Sequence, residues 1–285
     1  MFMASVRKRT VHFLAVGLCA IAALALSVPA SAQSVRWYST LEEGSAAAKE
    51  SNRPMLVDFW ADWCAPCKVM EKEVYSDPGF AEAARRFVTV RIDYDNKTAI
   101  ARKYGIKELP TLLFTDSFGG ELFRRHGFLN SKTLVEAMNS LPGDVSDFNR
   151  VSEALARDKN DLAALQEMGK RLRSAGLFLA SNAYYERALE TKDAKGNPSE
   201  REAILSEIGS NSLDVRDGQH AIETFEKCLK EFPASGRSAK WTLALGQAYV
   251  SANKKDNARR ILQKVVREYP GGEEAQTARS LLASL

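Results

Sequence analysis

Over the first half of the chain the apolar residues form short strand-like runs separated by segments of helical spacing. Thr40 and Glu43 have the spacing of a capping box ahead of "LEEGSAAAKESN", a helix that Pro54 ends. The run "MLVDFWA" then reads as a strand covered on both faces. A helix opening at Cys64-Ala65-Pro66-Cys67 follows, then a second start at "SDPGFAEAARR", a strand "FVTVRID", and a helix "KTAIARKYG" ended by Gly105. "TLLFTD" and "ELFRRHGF" flank Ser117-Phe118-Gly119-Gly120 as a hairpin, and "SKTLVEAMNSL" closes the series as a helix. The pattern predicts an α/β domain over residues 33–142.

The breaker cluster Leu141-Pro142-Gly143-Asp144 marks a change, and residues 143–285 read as helices joined by short polar turns. That half repeats itself. Leu245-Gly246, Tyr249, Ala258, Leu262, Val265 and Pro270 recur as Ile208-Gly209, Ala221, Phe225, Cys228 and Pro233, and earlier as Met168-Gly169, Leu172, Ser181, Tyr185 and Ala188. The three glycines lie 40 and then 37 residues apart. Over roughly 160–285 these helix hairpins resemble tetratricopeptide repeats, whose period is about 34, with extra turn residues at "KDAKGNP" and "PASG". Stacked hairpins bury a core that one hairpin cannot, and residues 147–160 are read as a further helix capping the stack. Such a surface implies a protein partner or self-association.

A length of 285 residues with 45% hydrophobic content agrees with two domains. The N-terminus changes the charge picture. Arg7-Lys8-Arg9, the apolar run Val11 to Val28 and Pro29-Ala30-Ser31-Ala32-Gln33 have the order of a secretory signal, with cleavage expected after Ala32. An uncleaved anchor is the bland alternative, the run being near the roughly 18 residues a span requires. A lipoprotein reading through Cys19 fails because Leu18 precedes it. Removing the three leader cations leaves 37 basic against 36 acidic side chains. Near-neutrality gives no reason to expect nucleic acid or an anionic membrane as partner, and no membrane span is expected after cleavage. An exported, periplasmic setting is oxidising and permits a disulfide.

The cysteine pair is the candidate chemistry. A zinc site needs four ligands, but the only other cysteine outside the leader is Cys228, and His126 and His220 are not in ligand spacing. No metal is therefore expected. The residues leave both a structural disulfide and a working dithiol open. The pair follows a strand and opens a helix, whose unpaired amides favour a thiolate, and Pro66 is tolerated in the first turn. In a working dithiol Cys64 is the exposed attacking thiol and Cys67 resolves the mixed disulfide.

"VDFWADWCAPCK" and "KYGIKELPTLLF" resemble the active-site and cis-proline segments of thioredoxin, and the element order over 33–141 agrees with that fold. "ADWCAPCK", "MEKEVYSDPGF" and "LPTLLFTD" also resemble the C-terminal periplasmic domain of DsbD-type reductases. The resemblance implies a thiol–disulfide oxidoreductase on the reducing or isomerising side, with protein disulfides as clients and a membrane thiol reductant as electron donor. It makes Pro110 the cis-proline facing the dithiol and leaves the Leu109 backbone free to pair with a client. Trp60 and Trp63 match the aromatics around the site. Asp58 matches a buried acid, with a raised pKa and a proton to exchange with Cys67; a strand-end surface aspartate is the bland reading. Arg91 stands where thioredoxin carries a lysine, with its role open. Ala65 and Glu108 replace family glycines, which bears on potential and client choice.

Cys228 occupies the repeat position of Ala188 and Val265 and reads as a small core residue. His126 and His220 read as packing or surface residues. With no phosphate loop and no nucleophile elbow in the sequence, no cofactor beyond the cysteine pair is implied. The rival function is a periplasmic binding, scaffold or chaperone-like protein whose dithiol is regulatory or structural.

Overall fold

The computed structural model describes residues 35–285. The signal segment, its cleavage after Ala32 and Cys19 lie outside the described residues. The helix expected after Thr40 is α1 (Leu41–Ser51). Its cap differs from the expected box. The Thr40 hydroxyl accepts from the Glu43 amide at 3.2 Å, but the Glu43 carboxylate bonds that same hydroxyl, at 3.0 Å.

Five strands, β1 (Trp37–Tyr38), β2 (Met55–Trp60), β3 (Val88–Asp93), β4 (Thr111–Thr115) and β5 (Glu121–His126), form one sheet in the order β1-β3-β2-β4-β5. β1 and β2 run parallel to β3, β4 antiparallel to β2, and β5 antiparallel to β4. The period of two along β2 divides its side chains. Met55, Val57 and Phe59 pack with Val88, Val90 and Ile92 under α1 and α4 (Thr98–Lys103). Leu56 packs on the other face with Leu112 and Phe114, beneath α3 (Pro78–Ala84) and α5 (Ser131–Asn139). Both faces are thus covered, which puts the even-numbered Asp58 in an apolar layer at 1% exposure.

From Ser146 onward the structure is helical: α6 (Ser146–Arg157), α7 (Leu162–Ser174), α8 (Phe178–Glu190), α9 (Lys192–Gly196), α10 (Pro198–Asp214), α11 (Gly218–Glu231), α12 (Ser238–Ser251), α13 (Lys255–Glu268) and α14 (Glu273–Ala283). "KDAKGNP", expected as turn residues, contains α9, because Thr191 caps it and Ala194 is fully buried. The repeat glycines each meet a side chain of the following helix. A Cβ on Gly169, Gly209 or Gly246 would lie 2.8, 2.7 or 2.6 Å from Tyr185, Phe225 or Leu262. Each glycine therefore lets a large side chain seat against the backbone. Cys228 is fully buried among these contacts. None of the described helices is long and apolar enough to cross a membrane.

Expected as a cap on the stack, α6 also joins the helices to the sheet. Ser152 donates to the buried Asp116 carboxylate, which also accepts from the Phe118 and Gly120 amides, each at 2.8 Å. Asn149 accepts from the Ser117 amide at 3.0 Å, and the Val145 amide donates to Asn52 at 2.9 Å. Met55 pairs with Thr115 and Phe59 with Thr111, so this junction lies at the end of the sheet away from Trp60. Six residues of strand put roughly 20 Å between the junction and that far end.

Candidate redox site

The end of the sheet opposite the junction carries the cysteine pair. Cys64 is the N-cap of α2 (Ala65–Val69), with non-helical φ/ψ of −79° and 95°, and Pro66 stands in the first turn. Cys64 and Cys67 are joined as a disulfide, with Cα atoms 5.3 Å apart. The Cys67 amide points at Cys64 Sγ, 3.2 Å away. This gives Cys64 a helix-end donor that Cys67 lacks.

The exposed attacking thiol expected at Cys64 is not found in this disulfide form. Both cysteines are buried, at 3% and 2% exposure, with Ala61, Trp60, Tyr94 and Leu109 packed around them. Their difference lies in the cap geometry and not in access.

Trp63 is 66% exposed beside the pair, and its indole N–H donates to Asp95 at 2.9 Å. Asp95 is itself held by the Asp93 carboxylate, which accepts from its amide at 2.9 Å. The Leu109–Pro110 peptide is cis. Pro110 accepts from the Gly127 amide at 2.8 Å. Among the described residues no hydrogen bond engages the Leu109 backbone. Glu108, on the same approach, faces His126 Nδ1 at 3.5 Å, and that nitrogen lies 3.0 Å from the Thr111 hydroxyl.

Asp58 lies on the buried face, and the register sets Arg91 directly across from it. Arg91 Nε is 3.3 Å from Asp58 Oδ2, and its Nη1 donates to Glu71 at 3.1 Å. The guanidinium also lies 4.7 Å from the centre of the Trp60 ring. Loss of hydration in this layer raises the Asp58 carboxyl from 3.8 to about 6, against the opposing pull of Arg91 and Tyr75 and with a small push from Glu71. The sequence left Arg91 open because a cross-strand partner becomes visible only once the register is known. Glu71 and Tyr75 stood only within the matched segment "MEKEVYSDPGF", with no role read for either. They join the cluster because α2 runs into a π-helical turn (Met70–Val74), closed by the Tyr75 amide bonding Met70 at 2.9 Å.

A family model described as Thioredoxin-like matches residues 36–117, and a Tetratricopeptide repeat model matches 213–282. Thioredoxin of Mycoplasma pneumoniae is 36% identical over 92 residues, which cover 31% of this chain and 83% of that protein. The thiol:disulfide interchange protein DsbD of Vibrio vulnificus is 31% identical over 108 residues, 36% of this chain. The match spans only 18% of that DsbD's length. The solution structure of a thioredoxin from Thermus thermophilus is 27% identical, covering 37% of this chain and 85% of that one, with a TM-score of 0.34.

Proposed function

The chain belongs to the thioredoxin family and is a thiol–disulfide oxidoreductase, and on that premise we propose that it works as an exported protein, reducing or isomerising protein disulfides through Cys64 and Cys67. The observation that carries this reading is the disulfide at the helix N-terminus, with the Cys67 amide aimed at Cys64 Sγ. In the reduced state that amide and the positive helix end stabilise a Cys64 thiolate. The thiolate attacks a client disulfide, forms a mixed disulfide and releases one client thiolate, which takes up a proton. Cys67 then gives its proton to Asp58, and its thiolate attacks Cys64 Sγ. The Cys64–Cys67 bond closes and the second client thiolate leaves, so one dithiol has been oxidised and one disulfide reduced.

The free Leu109 backbone beside cis Pro110 and the exposed Trp63 support a client chain lying along this edge. Residues 33–142 form the redox domain in this reading, and residues 143–285 recruit a client, a partner or a second copy. A thiol reductant held in the membrane resupplies electrons. Attachment of the helices at the far end of the sheet keeps them out of the cluster around the disulfide, which Trp60, Ala61, Tyr94 and Leu109 form.

Cys64→Ser is expected to abolish exchange with model disulfides, and undiminished turnover would refute the assignment. Cys67→Ser is expected to accumulate mixed disulfides, visible as thiol-sensitive adducts on a gel. Absence of adducts during turnover would remove the resolving role.

A further inference from the structure

Four buried polar atoms in the cluster behind the site lack a hydrogen-bond partner: Asp58 Oδ1, Tyr75 Oη, and Arg91 Nε and Nη2, the Nε lying 3.3 Å from Asp58 Oδ2 as an ion pair only. One is an acceptor on a carboxylate, and the other three bring donors. Leaving such groups unmatched in an apolar layer costs about 1–3 kcal/mol each, so the arrangement calls for an explanation. The Tyr75 ring is held in place by Trp37 and Phe80, with centroids 4.9 and 5.0 Å away. The Arg91 guanidinium lies 5.8 Å from the Tyr75 ring centre while also pairing with Asp58 Oδ2. The aromatic packing thus fixes a phenol whose hydroxyl is buried next to a carboxylate that the reaction charges and discharges.

We infer that Tyr75 is a positioning residue for the exchange reaction: its buried hydroxyl turns to donate to Asp58 Oδ1 when the carboxylate is ionised and lets go when Asp58 holds the Cys67 proton. The inference rests on the proposed role of Asp58 as proton acceptor. A donor that engages only the charged form lowers the cost of ionising Asp58 in this layer. The influence of Tyr75 on Asp58 is in that direction, and burial first, with Asp58 adding to it, holds the phenol well above its ordinary range. The charged and titratable groups around Asp58 are Arg91 from β3, Glu71 from the π turn and Tyr75 at its end. Glu71 acts against Tyr75, because its negative charge disfavours a second one on Asp58 and engages Arg91. Tyr75 and Glu71, four residues apart on one turn, therefore adjust the same proton in opposite senses.

The test follows the Asp58 carboxyl by carbon NMR in the full chain across pH, with the disulfide closed, alongside the pH profile of mixed-disulfide resolution. Tyr75→Phe keeps the ring contacts and is expected to move the Asp58 midpoint, and the resolution profile with it, upward by about one pH unit, a tenfold change in proton affinity. Glu71→Gln is expected to move both downward. Fluorotyrosine at position 75, a stronger donor of the same shape, is expected to lower the midpoint even where the phenylalanine variant fails to fold. A midpoint that Tyr75→Phe leaves in place or lowers, or that fluorotyrosine leaves in place or raises, overturns the inference. Cys64-dependent reduction of a model disulfide is assayed on the same wild-type sample. Its absence there overturns the functional reading, whereas the midpoints judge Tyr75.

Discussion

At the scale of single residues, Asp58 shows how a buried carboxyl acts against stability. Its carboxyl titrates at about 6 in the folded chain and at about 3.8 in an ordinary setting, so the folded state holds the proton more tightly. Between those values the folded state binds more protons than the unfolded state, and stability falls as pH rises through that window. The difference corresponds to about 3 kcal/mol, fully present as a penalty above pH 6 and absent below about pH 4. Asp58→Asn is therefore expected to be more stable than wild type at pH 8 by up to about that amount, with the two converging at pH 4. Urea unfolding at the two pH values checks this, and an equal gap at both would show that the carboxyl is not the cause. Arg91 limits the penalty: its side chain is only 17% exposed, so its attraction for Asp58 is weakly screened.

At the scale of elements, the helical repeats are set by where a side chain is missing. Alanine in a helix is favoured over glycine by about 1 kcal/mol. At Gly209 a Cβ would lie 2.7 Å from the Phe225 ring, and overpacking of that kind costs about 1–3 kcal/mol. Gly209→Ala should thus lose up to about 2 kcal/mol, while Gly196→Ala in α9, with open space around it, should be neutral or stabilising. Thermal unfolding of both variants decides the point, and equal effects would contradict it. The repeat spacing was legible because Gly169, Gly209 and Gly246 keep their distance from Tyr185, Phe225 and Leu262, contacts local to one hairpin. β2 was legible because its faces are both apolar apart from Asp58. The two-residue β1 was not, since it depends on pairing with Thr89 and Val90, far along the chain. Nor was the π winding after Val69, because "CKVMEKEVY" satisfies an α-helical pattern equally well. The Cys64–Cys67 pair, the burial of Asp58 and the cis peptide at Pro110 were legible; Arg91 was noted without a partner, and the meeting of Arg91, Glu71 and Tyr75 with Asp58 was not legible, since it depends on strand register and that winding.

At the scale of the whole molecule, the Asp116 turn couples the sheet to the helices. Asn149 of α6 makes two bonds to Ser117 in the hairpin, and the buried Asp116 carboxylate accepts from two turn amides and from Ser152 of the same helix. Asp116→Ala leaves those donors unpaired, which should cost about 2–5 kcal/mol and split a joint unfolding transition into two. Calorimetry reads this directly, and a single unshifted transition would contradict it. Exchange at the disulfide, at the other end of β2, should persist in that variant. The double variant Cys64→Ser, Cys67→Ser separates the redox reading from a scaffold role: retained biological activity would favour the scaffold. The central claim, a reducing or isomerising dithiol at the N-terminus of α2, is tested most directly by the equilibrium reduction potential of Cys64–Cys67, titrated against a dithiol buffer. A potential near the ~−270 mV of thioredoxin is the predicted result, and one near ~−120 mV, where the pair would donate disulfides, would contradict it.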